Sequence, residues 1–472
     1  MSPARRISLA IPITVAGGQF MEGLDSTIIG TSLPEIARSL AVPATALSLA
    51  LTSYLLSLAV FIPVSGWIAD RFGARRVFCS AIAVFCLGSL LCGAAHGLAT
   101  LIGARVVQGL GGAMMVPVAR LILLRTYPKD QLIRALNLML VPALTGPMLG
   151  PVVGGFITTY FSWRWIFFIN LPVGLIGIVM TLLVVEEVTA PRPPAFDVRG
   201  FVLVGLGLAA AQVAIENCGR GTLPIAVEVA LGLVAAASLL AYWRHAGLVP
   251  NPVIDLALFR LRSFEAAVLT GSLCRAGIGA MPFLLPLFFQ LGFGLDPLRT
   301  GLLIFVASAG DIVMLAGTPR VLQRFGVRRV LIGNGLAVAA MLAGFALFTA
   351  LPPAWFVMLY LFAFGLARSL QFSSLSAVGY ADLTAAQMGQ GSGITTVAMR
   401  LSFSVGIGIG ATLLQRFVVA GSVTAADFRP VFLVTAAAVL AAVWGFRRLA
   451  PGDGAQLTGH AGGRRRLGGP AA

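Results

Sequence analysis

Apolar residues run along this chain in continuous stretches of roughly 20 residues, the length that crosses about 30 Å of hydrocarbon. Short clusters of charge, proline and glycine separate them. The runs fall at 10–33, 46–69, 77–95, 99–123, 134–160, 164–185, 199–216, 223–243, 265–291, 300–318, 328–350, 353–379, 392–418 and 430–447. They predict about fourteen membrane-spanning α-helices. A membrane barrel is excluded, because its strands need only about ten residues of alternating polarity. The least certain span by composition is 199–216, which ends on Glu216.

Composition agrees with this pattern. Of 472 residues, 58% are hydrophobic and 11% charged, whereas a soluble domain carries about 25% charge. The net charge of +16 does not indicate nucleic acid, because the arginines sit in short loops between apolar runs. Arg71, Arg75, Arg76, Arg125, Arg244, Arg260, Arg324, Arg328, Arg329 and Arg447 fall on one side of the predicted topology, and few basic residues fall on the other. The positive-inside rule makes the first side cytoplasmic. An even number of spans then places both termini there. Arg5 and Arg6 resemble the start of a signal peptide, but the apolar run continues into further spans and reads as an uncleaved first helix. Four of the five cysteines (Cys79, Cys86, Cys92 and Cys274) lie in apolar runs without metal-type spacing; Cys218 is the fifth.

The first span holds Glu22 and Asp25, one helical turn apart near its middle. A charge at that depth costs about 2.5–3.5 kcal/mol on insertion scales, so two acids there imply a water-lined cavity and proton chemistry. An internal repeat supplies the cavity. Arg71-Phe72-Gly73-Ala74-Arg75-Arg76 recurs 253 positions later as Arg324-Phe325-Gly326-Val327-Arg328-Arg329. Two six-span halves repeat at roughly 200 residues given these span lengths, so the excess predicts an inserted hairpin. The predicted organisation is an N-terminal six-helix bundle (1–190), an inserted transmembrane hairpin with linkers (191–250), a C-terminal six-helix bundle (251–448) and a disordered cytoplasmic tail (449–472). Paired halves around a midplane site are the architecture of secondary transporters.

Three motifs carry chemistry. Gly66-Trp67-Ile68-Ala69-Asp70-Arg71 leads into the first basic loop; Gly66 admits a close neighbouring helix, and Asp70 suits a helix N-terminus. In the fourth span Arg105 lies inside an apolar run with Gln108 one turn on, beside Gly109 and Gly112. A buried Arg needs a partner, and the acids of the first span are the candidates. In the fifth span Gly146, Gly150 and Gly154 form one stripe for tight helix contact, with Gly155 beside it, and Pro147 and Pro151 each remove a backbone donor.

The Asp70 loop resembles the signature between spans 2 and 3 of the major facilitator superfamily, which implies a cytoplasmic gate made by Gly66, Asp70, Arg71, Gly73, Arg75 and Arg76. In the second copy Pro319 and Gln323 replace Gly66 and Asp70. The Arg105 pattern is similar to that of proton-driven facilitators, and the fifth-span stripe to the antiporter motif. Leu24-Asp25, Leu33-Pro34, Trp163 to Pro172 and Asn251 to Arg260 extend the resemblance to the fourteen-span drug:proton antiporters of the EmrB/QacA type. Gly30 stands where that family usually has Asn, and Glu22 is an extra acid.

The expected function is proton-coupled export of small amphipathic molecules by alternating access. Asp25 would be the main proton carrier, with Glu22, Arg105 and Gln108 as its neighbours. In the C-terminal half Arg275, Asp311, Arg368 and Arg400 lie in or near apolar runs as cavity candidates; Arg275 and Arg400 would pair with Asp311 or reach the interface. Those arginines also admit an alternative, export of anionic metabolites or metal–organic acid chelates; a facilitator without antiport is a third reading. Neither an enzyme nor ATP-driven transport is expected, since no phosphate-binding Gly-rich loop, nucleophile–base pair or metal-type cluster appears. No metal and no cofactor besides the coupling proton is implied. The expected partners are a small-molecule substrate, protons and the lipid of a bacterial-type cytoplasmic (inner) membrane. A monomer is expected, no nucleic acid is, and the sequence does not assign a periplasmic adaptor.

Overall fold

A computed structural model describes residues 10–187, 195–218, 223–384, 387–418 and 423–449. The tail expected to be disordered lies outside them, apart from Leu449. The described residues form helices, turns and loops, with no strand among them. The long helices are α1 (Ala10–Ile28), α2 (Ser48–Phe72), α3 (Ala74–Gly93), α4 (Leu98–Thr126), α5 (Lys129–Tyr160), α6 (Trp165–Val184), α7 (Val198–Asn217) and α8 (Ile225–Ala246). Then come α9 (Arg262–Gly292), α10 (Pro297–Phe325), α11 (Val327–Phe345), α12 (Ala354–Ala381), α13 (Met388–Phe417) and α14 (Phe428–Phe446).

Thirteen helices among the described residues are long and apolar enough to cross a membrane, against about fourteen expected. The exception is α1, whose 19 residues suffice in length but include Gln19, Glu22 and Asp25. Its apolar run does not stay one helix to residue 33. It breaks into a 3-10 turn at Gly30–Ser32 and a short helix, Leu33–Ser39, where Pro34 fits the first turn and cannot continue the helix before it. The segment α9 is also interrupted: π-helical turns at Ala266–Thr270 and Phe288–Gly292 flank two α-helical pieces.

Helix pairing repeats between the halves. Helix α1 packs on α5, α2 on α4 and α3 on α6; correspondingly α9 packs on α13, α10 on α12 and α11 on α14. The repeated basic loop has the same backbone in both copies. Gly73 (φ 97°) and Gly326 (φ 77°) end α2 and α10 in the left-handed region, where a side chain is strained. Between the halves, α7 and α8 pack on each other. Asp197 caps α7 by accepting from the Gly200 N–H (2.8 Å) and meets His245 Nε2 of α8 (2.7 Å), closing the hairpin.

The halves join through α2 with α13 and α5 with α10. Away from the basic loops the join is tight. Gly30 lies against the Pro282 carbonyl, Gly155 against Pro297, and Gly301 against Pro151. Gln290 of α9 donates to the Thr31 carbonyl at 2.8 Å.

The glycine stripe of α5 sets how closely α1 is held. A methyl built on Gly146 would stand 2.5 Å from the Phe20 carbonyl oxygen, and one on Gly150 would stand 3.0 Å from that of Leu24. Gly154 faces Ile28 in the same way, and Gly23 of α1 returns the contact to Pro147. At Gly146 the three nearest obstacles are all backbone, of Phe20 and Leu24, so Gly146→Val has no rotamer escape. It is expected to lose about 3 kcal/mol, the upper end for overpacking, or to fail to fold. The apparent melting temperature and the yield of monodisperse protein in detergent check this, and a parent-like variant would contradict the contact.

Candidate functional site

Asp25 and Arg105 are both fully buried and meet inside the first bundle. Arg105 Nη1 donates to Asp25 Oδ2 at 2.6 Å. Gln108 Nε2 donates to Asp25 Oδ1 at 2.8 Å, and Gln108 Oε1 accepts from Arg105 Nη1 at 2.6 Å. The i, i+3 spacing of Arg105 and Gln108 puts both on one face of α4, so they grip the same carboxylate. The fit is possible because Gly109 and Gly112 bring α4 against Tyr54, Ser57 and Leu58 of α2.

Residues that sequence reasoning did not select complete the shell. Asn170 Nδ2 donates to Asp25 Oδ1 at 3.0 Å. Ser89 Oγ of α3 accepts from Gln108 and Asn170. Arg105 Nε donates to the Ala50 carbonyl at 3.3 Å, and its guanidinium lies 4.2 Å from the centre of the Tyr54 ring. Arg105 Nη2 and the Tyr54 hydroxyl are buried without a hydrogen-bond partner among the described residues. The available signal was a lone Asn in the apolar stretch opening α6. Breaking a pair this deeply buried leaves an uncompensated charge, so the charge states of Asp25 and Arg105 are strongly linked.

Glu22 lies one turn from Asp25 yet serves a different contact. Its Oε1 accepts from Arg400 Nη2 of α13 at 2.7 Å. Glu22 is 8% exposed and Arg400 17%, so the pair is largely withdrawn from solvent, and it spans the two halves. The expected alternatives for Arg400, Asp311 or the interface, are not realised. Asp311 is taken by Arg368, a bidentate pair within the second bundle in which Arg368 Nε donates to Oδ1 at 3.1 Å. Arg275 does not pair with Asp311 either. It is 2% exposed and donates to the Ala267 carbonyl at 2.8 Å, inside the first π-turn of α9. Widening the helix alters the backbone ladder there, and Arg275 supplies a local donor. Phe288 and Phe289 are core residues; Phe288 packs among Phe293, Phe345, Phe428 and Phe432.

The six loop residues fall close together, and among the described residues their hydrogen bonds and ion pairs stay within the first bundle. Asp70 pairs with Arg125 at the end of α4 rather than with a helix N-terminus. Glu187 accepts from the backbone N–H of Arg75 (3.1 Å) and Arg76 (3.3 Å), so it is Glu187 that caps the start of α3. Gly73 abuts that carboxylate. Arg71 is exposed. The close helix approach expected at Gly66 is absent: a methyl there would meet nothing within 4 Å, because that face of α2 is open.

Comparison with known proteins agrees with the architecture. The profile of the Major Facilitator Superfamily matches residues 15–407. A Pectobacterium carotovorum protein bearing the provisional name multidrug resistance protein MdtD is 39% identical over 406 residues, covering 85% of this chain and 86% of its own. Its Escherichia coli O6:H1 namesake is 38% identical over 407 residues, 85% of each. Among solved structures, a peptide transporter (POT) in complex with sulfate superposes with a TM-score of 0.71 at 15% identity, covering 96% of this chain and 97% of that one. A D-xylose–proton symporter gives 0.69 at 15%, covering 94% and 98%. These two show the fold. The chain belongs to the Major Facilitator Superfamily and is a multi-pass membrane transporter.

Proposed function

We propose that this transporter exchanges protons for small amphipathic molecules, exporting them by alternating access, with Asp25 as the proton carrier. The observation that carries the proposal is the fully buried Asp25–Arg105 pair with its shell of Gln108, Asn170 and Ser89. A proton arriving at Asp25 frees Arg105 from its counter-charge. An approaching solute or a shift of α4 then decides which state is favoured. The second support is the Glu22–Arg400 bridge, the ion pair across which the halves must part or slide. The halves seal tightly away from the basic loops, which fits a conformation open toward the basic end. With positive-inside topology, that end and both termini are cytoplasmic and the membrane is the bacterial inner membrane. Each inward proton then supplies about 2.3 kcal/mol per 100 mV, plus the pH gradient. No cofactor besides the proton is required.

The two substrate readings differ in what the C-terminal arginines are free to do. A basic wall for anions needs unneutralised guanidinium groups. Here Arg368 is paired with Asp311 and Arg400 with Glu22, while Arg275, which its carbonyl contact does not neutralise, is 2% exposed and withdrawn from any cavity wall. That arrangement favours cationic or neutral amphiphiles, in line with the multidrug resistance name of the relatives. The test is uptake into everted vesicles with an acid interior, over matched cationic and anionic compounds. Cationic amphiphiles are expected to accumulate as protons leave. Accumulation of anions alone would install the metabolite or chelate reading instead.

A further inference from the structure

The hairpin α7–α8 is not a passive insert. Its first helix packs against both α2 of one half and α13 of the other. At that seam lies Glu216, 3% exposed and unused by the proton site. Thr52 Oγ1 lies 2.8 and 2.9 Å from its two carboxylate oxygens, closer than the 3.0 Å to the Ser48 carbonyl that competes for its one proton; Ser48 Oγ donates at 3.4 Å. From α13, Thr412 donates to the Glu216 backbone carbonyl at 3.5 Å, while Ser404 donates to the Thr52 carbonyl at 3.4 Å.

Ser48 begins α2, so the carboxylate is set against a helix N-terminal turn, where the helix dipole favours an anion. Ser48 and Thr52 are one turn apart on one face of α2. Ala50 and Tyr54 are one turn apart on the opposite face, about 200° round the helix from them. Those two residues hold Arg105, by the Ala50 carbonyl and the Tyr54 ring. One turn of α2 is therefore gripped on one side by the hairpin acid and on the other by the arginine that holds Asp25.

We infer that Glu216 is a positioning residue for the Asp25–Arg105 site, acting through the first turns of α2 and tying the hairpin to the transport cycle. This role rests on the proton-exchange reading. Without the clasp, α2 holds Arg105 less firmly, and Arg105 competes less well with a proton for Asp25. The pH profile of transport then moves toward alkaline values.

The test compares proton-driven uptake of a cationic amphiphile across pH for the parent, Thr52→Val, Glu216→Gln and Thr52→Ser. Valine keeps the shape of threonine and removes the donor; serine keeps the donor. Thr52→Val and Glu216→Gln are expected to shift the half-maximal pH upward by about half a unit, the size one lost hydrogen bond supports. KM should stay within about twofold, since both side chains are buried in the helix seam, and a twofold change is well under 1 kcal/mol. Thr52→Ser should match the parent. A parent-like profile in both disabling variants overturns the inference, and so does a fall in melting temperature with an unmoved profile. A parent whose transport ignores pH instead overturns the proton-exchange reading on which the role depends. If one variant fails to fold, the other decides.

Discussion

Asp25→Asn is expected to reduce pH-gradient-driven transport to the level of empty vesicles while leaving a folded protein of lower stability. The charge lost is the counter-ion of a fully buried guanidinium. Removing one partner of a buried pair costs about 3–5 kcal/mol, because the remaining charge stays uncompensated. The fold should survive, since Arg105 keeps Gln108 Oε1, the Ala50 carbonyl and the Tyr54 ring. The double variant Asp25→Asn/Arg105→Gln separates the two roles of the pair. With no unpaired charge left, it should regain part of the lost melting temperature, yet transport no better than the single variant. Parent-like, pH-dependent uptake by Asp25→Asn would remove Asp25 from the mechanism.

The second large effect is expected at the bridge between the halves. Arg400→Gln leaves Glu22 as a free carboxylate at the junction, and Glu22→Gln leaves Arg400 without its counter-ion. The first should tighten binding of cationic substrates and the second weaken it, each by about tenfold, or 1.4 kcal/mol. Anionic analogues of matched size should respond in the opposite sense. The double Gln variant should bind both classes alike, because it removes both charges together. Equilibrium binding of a matched cation–anion pair reads this directly. An unaltered preference in both single variants would reduce the pair to a structural contact between the halves.

How much of this was legible in the sequence follows from the kind of force involved. Membrane spans are written in composition, so the helices lie where the apolar runs lie. The two halves were visible because a positive-φ glycine between an Arg-Phe pair and two arginines is a local device, and it was copied. Asp25 and Arg105 could be matched because opposite charges inside an apolar medium need each other. The partners of Glu22 and Arg400 could not, since the two are 378 positions apart and either could have met another charge. Asn170 and Ser89 escaped because one neutral polar side chain in an apolar span has many uses. The π-turns of α9 left no mark, as a one-residue widening of a helix does not change the apolar run that contains it. Gly66 misled for a related reason: a small residue permits close approach but does not supply the helix that approaches.

The central claim is that substrate and proton compete through the Asp25 site, and binding-linked proton release tests it most directly. Purified protein in weakly buffered detergent solution, loaded at mildly acidic pH, is mixed with a transported cation while the pH is followed. By linkage, a substrate that displaces the proton releases up to about one proton per transporter, and the proton in turn weakens substrate binding by the same factor. Release from the parent and none from Asp25→Asn is the predicted result. Substrate binding without proton release by the parent, or equal release by Asp25→Asn, would contradict the account.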